Sequence, residues 1–144
     1  MAVQCRLGLG LLASGGIAII VIVLIAILLF NVFGNDRTPE DQKVGRAVVG
    51  QNDALQRENF ADFSTYTCKK LQGSDSDMTA RQRDSKNKRG ARFVDDVTDI
   101  KIDGDGATAT VTYHFDKAPD QKTPVPMTFV REDGAWKVCS TGPS

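Results

Sequence analysis

A chain of 144 residues has room for one modest folded domain beyond any anchoring segment, and not for two. Its 18 basic and 18 acidic side chains give a formal net charge of zero, so the overall balance does not point to a nucleic-acid binder and no nucleic-acid partner is expected. The 41% hydrophobic content is unevenly spread: much of it precedes Gly34, and the remainder of the chain is polar, charged and broken by Gly and Asp.

From Leu7 to Phe33 no charged residue occurs, and Ile17 to Phe30 contains only Ile, Val, Leu, Ala and Phe. At about 1.5 Å per helical residue this run is long enough to cross a hydrocarbon core of about 30 Å. The reading is a transmembrane helix over 7–33. A cleaved signal peptide is the competing one, but its apolar region is shorter and ends at a small-x-small site, whereas the exit here is Asn31-Val32-Phe33-Gly34. Lipid attachment would need a cysteine just after the apolar run, and Cys5 precedes it. The predicted organisation is a short cytoplasmic tail (1–6), the membrane helix (7–33), a linker (34–38) and an exported domain (39–144) at the cell membrane. Only Arg6 and the terminal amine, set against Arg37 and Lys43, bear on orientation by charge. Within the helix Gly10, Ser14 and Ala18 lie four apart, a spacing that permits close helix contact and a homodimer, or that arises by chance in apolar segments.

After the linker, Thr38 and Pro39 predict a helix start, with a capping hydroxyl and then proline at the first helical position. Val44, Ala47, Val48 and Leu55 come next at helical spacing with Gln51 on the same stripe, giving about four turns that stop near Arg57 to Asn59. Asn59 caps a second, shorter helix in which Phe60 and Phe63 share a face, with Tyr66 and Cys68 near its end. Gln72 to Asp77 reads as a loop, and Ser76 or Asp77 opens a third helical piece that stops at Gly90 and has almost no apolar stripe.

From Arg92 the pattern changes to alternation, and four strands are expected. In the first, Arg92 to Asp103, the spacing of Val94, Val97, Ile100 and Ile102 departs from a period of two, so a bulge is expected near Thr98. Asp103-Gly104-Asp105-Gly106 turns into the second strand, where Val111, Tyr113 and Phe115 form the core face and Thr110, Thr112 and His114 the other. Pro119 to Lys122 reads as a loop before a third strand around Val125, Met127 and Phe129, with Pro124 and Pro126 pointing to an edge or an irregular start. Glu132-Asp133-Gly134 turns into the last strand, with Trp136 and Val138 on one side and Cys139 on the other. The fold class is therefore α+β: two or three helices packed on a bent four-stranded antiparallel sheet.

Cys68 and Cys139 are an even pair, which in an exported domain reads as a disulfide; two buried free thiols in a cytoplasmic domain is the alternative. The bond requires Cys139 to reach the helices although alternation sends Trp136 and Val138 the opposite way. Either a bulge in the last strand or cover on both faces of the sheet would resolve this.

The helix around Val44 to Leu55, Phe60-Ala61-Asp62-Phe63, Tyr66-Thr67-Cys68 and Asp133-Gly134-Ala135-Trp136-Lys137-Val138-Cys139 together resemble the nuclear transport factor 2-like superfamily, of cystatin-like roll type. More narrowly, the chain resembles membrane-anchored members from actinobacteria, over roughly Pro39 to Ser140. The resemblance implies helices curled against a strongly bent sheet around a conical pocket. For function it implies a binding or scaffolding domain or a small isomerase or dehydratase, because this fold hosts all of these. Relatives that accompany lipid-import complexes imply a protein partner in the envelope.

Four groups of residues are site candidates. His114, the only histidine, is a natural general base, but its place opposite Val111, Tyr113 and Phe115 favours a surface or structural role. Isomerase chemistry would draw on Tyr66, Tyr113, Asp62 and Asp95, a carboxylate and a phenol in an apolar pocket, yet no spacing joins them. Asp99, Asp103 and Asp105 invite calcium, but Lys101 occupies a ligand position and the later bidentate acid is missing, so neither metal nor cofactor is expected. Arg81, Arg83, Lys86, Lys88, Arg89 and Arg92, broken by Asp84, suit anionic lipid headgroups or wall polymers, against the plainer reading of a solvated helix face. The expected function is non-catalytic binding of a protein partner or a lipid-like ligand beside the membrane, with a small isomerase- or dehydratase-like enzyme as the alternative.

Overall fold

The computed structural model describes residues 20–25 and 38–144. Residues 20–25 are helical, with side chains open to solvent; the rest of the expected span 7–33, and with it Gly10, Ser14 and Ala18, lies outside the described residues. Among the described residues no helix is long and apolar enough to cross a membrane.

Thr38–Ser144 forms a compact unit of its own. Helix α1 (Glu40–Gln56) starts one residue away from the expected geometry. Pro39, not Thr38, is the cap, its carbonyl accepting from the Lys43 amide at 3.2 Å, and no side chain caps the helix. Glu40 and Asp41 face the positive end of the helix dipole. The buried stripe Val44, Ala47, Val48, Gln51 and Ala54 follows the 3–4 spacing that points one helical face inward. Helix α2 (Phe60–Tyr66) is capped by Asn59, whose side chain accepts from the Asp62 amide at 3.1 Å. A 3-10 turn (Lys69–Leu71) leads to helix α3 (Asp75–Arg89). This helix begins before the expected Ser76 or Asp77 because Ser74 accepts from the Asp77 amide and so satisfies a first-turn donor. Gly90, at φ 84°, ends it where expected. A Cβ at Gly90 would lie 2.8 Å from that of Asp116, so both backbone angle and close approach demand glycine.

The sheet is an antiparallel meander in the order β1 (Arg92–Asp103), β2 (Gly106–Phe115), β3 (Ala118–Glu132), β4 (Ala135–Val138). The expected irregularity in β1 appears as two register shifts, between Val94 and Asp96 and between Thr98 and Lys101. In β2 every second residue from Ala107 to Phe115 is buried. Strand β3 corrects the sequence reading: Pro119 to Lys122 is strand, and only Asp116 and Lys117 separate Phe115 from its ladder partner Ala118. The prolines conceal this because they suppress strand propensity. They are tolerated because β4 pairs only with Phe129–Glu132, leaving most of β3 as a sheet edge where a missing amide donor costs no ladder bond.

Val44, Ala47 and Val48 of α1 pack on Val111, Tyr113, Met127, Phe129, Trp136 and Val138 of the sheet to make the main core. A second core of Ala54, Phe63 and Met78 joins the three helices. Each large apolar side chain so buried contributes about 1.5–3 kcal/mol. Both cores, the sheet and both disulfide cysteines lie within Thr38–Ser144, so this unit contains what it needs to fold by itself.

Cys68 and Cys139 are bonded, with Cα atoms 5.2 Å apart. The conflict over Cys139 is resolved in a way alternation does not foresee. Trp136 and Val138 point into the helix-facing core, and Thr67 runs alongside β4 as a parallel neighbour of Val138, with the Cys68 amide donating to the Val138 carbonyl at 2.9 Å. The bond therefore crosses the sheet edge sideways. Neither a bulge in β4 nor a second covered face is required.

Candidate functional site

Helix α3 has no apolar stripe because its inner face lines a cavity. Met78, Gln82 and Ser85, spaced four and three apart, are its buried residues, and two of them are polar. They form one wall of a cavity of about 250 Å³. Leu55 of α1, Phe63 of α2 and Leu71 of the 3-10 turn form the apolar side, with Gln51 and Thr67 behind them. Gln51 donates to the Thr67 hydroxyl at 2.9 Å, which satisfies two buried polar groups in the cavity wall. The segment 140–144 lies across the remaining side.

At the end of this cavity is Arg92, only 8% exposed. Its Nε donates to Asn52 Oδ1 at 2.8 Å and its Nη1 to the Pro143 carbonyl at 2.7 Å, while the guanidinium lies 4.9 Å from the centre of the Tyr113 ring. Asn52 donates back to the Arg92 carbonyl at 3.0 Å. Among the described residues Arg92 has no carboxylate partner. Burial pushes its guanidinium below the usual arginine range; the Tyr113 side chain opposes that shift and nearby Arg89 adds to it. Burial likewise raises the Tyr113 phenol, whose hydroxyl donates to the Met127 sulfur at 3.0 Å.

The basic segment read from the sequence is thus divided. Arg92 is removed from it by burial, because it begins β1 and faces the helices. Arg83 pairs with Glu58 at 2.8 Å and Lys88 with Asp84 at 2.7 Å, both exposed, and Lys86 is exposed on the same helix. Arg81 is at the cavity, and Arg89 lies over the Phe115 ring at 3.6 Å and donates to the Ser144 carbonyl at 3.1 Å. The cavity wall contains two arginines and no Asp, Glu or His.

The four groups considered for isomerase chemistry are not brought together. Asp62 pairs with Arg57 on the outside of α2, and the Tyr66 ring covers Gly50, where a Cβ would meet it at 2.5 Å. Tyr113 is internal, and Asp95 is on the far face of the sheet. There His114 hydrogen-bonds Asp95 at 2.8 Å, Lys122 pairs with Asp95 at 3.0 Å, and Phe93 stacks on the imidazole with ring centres 4.8 Å apart. Burial alone would raise the Asp95 pKa, but hydrogen bonds from His114 and Lys122, with their charges, outweigh it and hold the carboxyl below its usual range. Asp103 and Asp105 flank a hairpin turn with Gly104 at φ 56°, and the described residues contain no group of acids, His or Cys placed to hold a metal.

A family model for the C-terminal domain of the low molecular weight antigen MTB12 matches residues 68–141, just over half of the chain. The chain belongs to this MTB12 C-terminal domain family. The match starts at one disulfide cysteine and covers α3, all four strands and the second cysteine, but not α1 or α2. No curated protein matches the sequence. Among solved structures, a proposed NTF2-like transpeptidase from Campylobacter jejuni is similar at 14% identity and TM-score 0.46, over 72% of this chain and 99% of that one. A proposed dehydratase of the NTF2-like family from Streptomyces avermitilis is similar at 15% identity and TM-score 0.46, over 69% and 90%. An uncharacterised cystatin-fold protein from Novosphingobium aromaticivorans is similar at 7% identity and TM-score 0.42, over 65% and 93%.

Sequence reasoning missed the roles of Asn52, Gln82, Ser85 and the segment 140–144 in this MTB12-type domain. The 4–3 spacing of Met78, Gln82 and Ser85 was the available signal, since a polar residue on an inward helical stripe marks a face that is not packed as core. Nothing local marks 140–144. Its place depends on Arg92, which is distant in sequence.

Proposed function

We propose that this chain is a non-catalytic binding protein of the cell envelope, whose domain 39–144 takes a small lipid-like ligand in the helix-lined cavity. The supporting observation is the cavity's composition: an apolar wall of Leu55, Phe63, Leu71 and Met78, a few polar groups, and, among the described residues, no Asp, Glu or His side chain to move a proton. Placement outside the cytoplasm is supported by the apolar run from Leu7 to Phe33 and by the Cys68–Cys139 bond, which an oxidising compartment preserves.

Two measurements test this. The neutral fluorophore N-phenyl-1-naphthylamine should bind the purified 38–144 fragment at one site with enhanced emission, and Phe63→Trp or Leu71→Trp should reduce that binding by filling the wall. Absence of binding, or turnover of a ketosteroid by the fragment, would remove the proposal. In intact cells an impermeant thiol reagent should label Cys68 and Cys139 only after reduction, without breaking the membrane. Labelling that requires lysis would place the domain on the other side.

A further inference from the structure

Burying a guanidinium is costly unless its charge is met, and proteins ordinarily meet it with a carboxylate. Among the described residues Arg92 is met by dipoles: an amide oxygen, a backbone carbonyl and the face of a phenol ring. Two of its five donors are engaged by these acceptors among the described residues, leaving part of the planar fork that suits carboxylate and phosphate oxygens. Arg81 at the cavity wall adds positive charge on the same side, Arg89 is met by the Ser144 main-chain oxygen, and among the described residues no Asp or Glu side chain lines the wall.

The segment covering this end is lightly held. Cys139 and Ser140 are tied to Thr128, by the Cys139 amide donating at 2.8 Å and the Thr128 amide donating to Ser140 Oγ at 3.0 Å. Beyond them, among the described residues, the segment is held by the bonds that Pro143 and Ser144 accept from Arg92 and Arg89. It runs so close to the guanidinium that a Cβ on Gly142 would lie 2.9 Å from Nη1. The Pro143 carbonyl thus occupies the position that a ligand oxygen would take, and a charged acceptor there forms the stronger bond.

From this geometry we infer that the cavity selects an anionic amphiphile: a carboxylate or phosphate head replaces the Pro143 carbonyl on Arg92, and a short apolar body lies against Leu55, Phe63, Leu71 and Met78. The inference rests on the lipid-like reading above and adds the charge of the head. A volume of about 250 Å³ is roughly eight times the ~30 Å³ share of one water molecule, which gives room for a short alkyl body of the octyl class.

The test compares octanoate, octyl phosphate, octanol and acetate on the 38–144 fragment by titration, following the Arg92 Nε–H and the Gly142 and Ser144 amide resonances. Octanoate, octyl phosphate or both should bind at least about tenfold more tightly than octanol and than acetate, and should shift all three resonances. A preference between the two octyl anions identifies the head as carboxylate or phosphate. Arg92→Met should abolish the advantage of the anions, bringing octanoate and octyl phosphate down to the affinity of octanol for the same variant. If that variant does not fold, the four-probe comparison on the unmodified fragment still decides. Equal affinity for octanol and the octyl anions overturns the inference and leaves the lipid-like reading intact. Equal affinity for acetate and octanoate overturns the amphiphile. Failure of all three octyl probes overturns both.

Discussion

Removing the Cys68–Cys139 bond by Cys68→Ala with Cys139→Ala should destabilise the domain severely. The two residues are 71 apart in sequence, so the bond closes nearly two thirds of the 38–144 unit into one loop. In the chain-entropy account, a loop of about 72 residues restricts the unfolded ensemble by an amount equivalent to roughly 4 kcal/mol at 25 °C. That is a large share of the about 5–15 kcal/mol that holds a typical domain together. For a unit of this size each kcal/mol corresponds to about 4 °C or somewhat more in Tm, so a fall of about 15–25 °C is expected. Urea unfolding of the fragment and its double variant, followed by Trp136 fluorescence, measures the difference. Because the bond acts mainly on the unfolded chain, the slope of free energy against urea should rise in the variant as its unfolded state expands. A variant within about 1 kcal/mol of the parent, with an unchanged slope, would refute the reasoning and assign the 67–68 to 138–139 contact to packing and hydrogen bonds alone.

Three other outcomes rest on particular contacts. Met78→Ala, in the small core between the helices, should cost about 2–5 kcal/mol in chemical denaturation, because a fully buried side chain is lost next to a cavity and its neighbours have little to close onto. Gly50→Ala should cost about 1–3 kcal/mol by driving a Cβ into the Tyr66 ring, and Tyr66→Ala in the same chain should recover part of it; a cycle of the four variants with no coupling would contradict the contact. Glu40 accepts from Trp136 Nε1 at 2.8 Å, and this bond, with those of Lys43 and the charge of Arg131, holds its carboxyl below the usual range. A carboxyl lowered in the folded state contributes stability that is present above its unfolded pKa and lost as pH falls through the folded one. Glu40→Gln should therefore flatten the acid limb of the stability curve, and an unchanged limb would show that the carboxylate contributes nothing there.

Much of the fold is determined locally. The 3–4 spacing from Val44 to Ala54, the Asn59 cap, the stop at Gly90 and the strict alternation from Ala107 to Phe115 are each decided within a few residues, because helix caps and strand faces are short-range properties of the chain. The outward placement of His114 was legible for the same reason, and the cysteine pair from there being two cysteines after the apolar run. What only the tertiary structure decided depends on partners distant in sequence. Pro119 to Lys122 is strand because β2 supplies a ladder and the short β4 leaves an edge open, which outweighs the prolines' local preference. The disulfide runs sideways because Thr67 docks beside Val138. Arg92 reads as one more charge in a basic run, yet Asn52, Tyr113 and Pro143, from a helix, a strand and the closing segment, converge on it and turn it into the buried end of a cavity. Local pattern sets which face of an element is apolar. Whether an inward charge is solvated, neutralised or left to meet a ligand is decided by what the folded chain places around it.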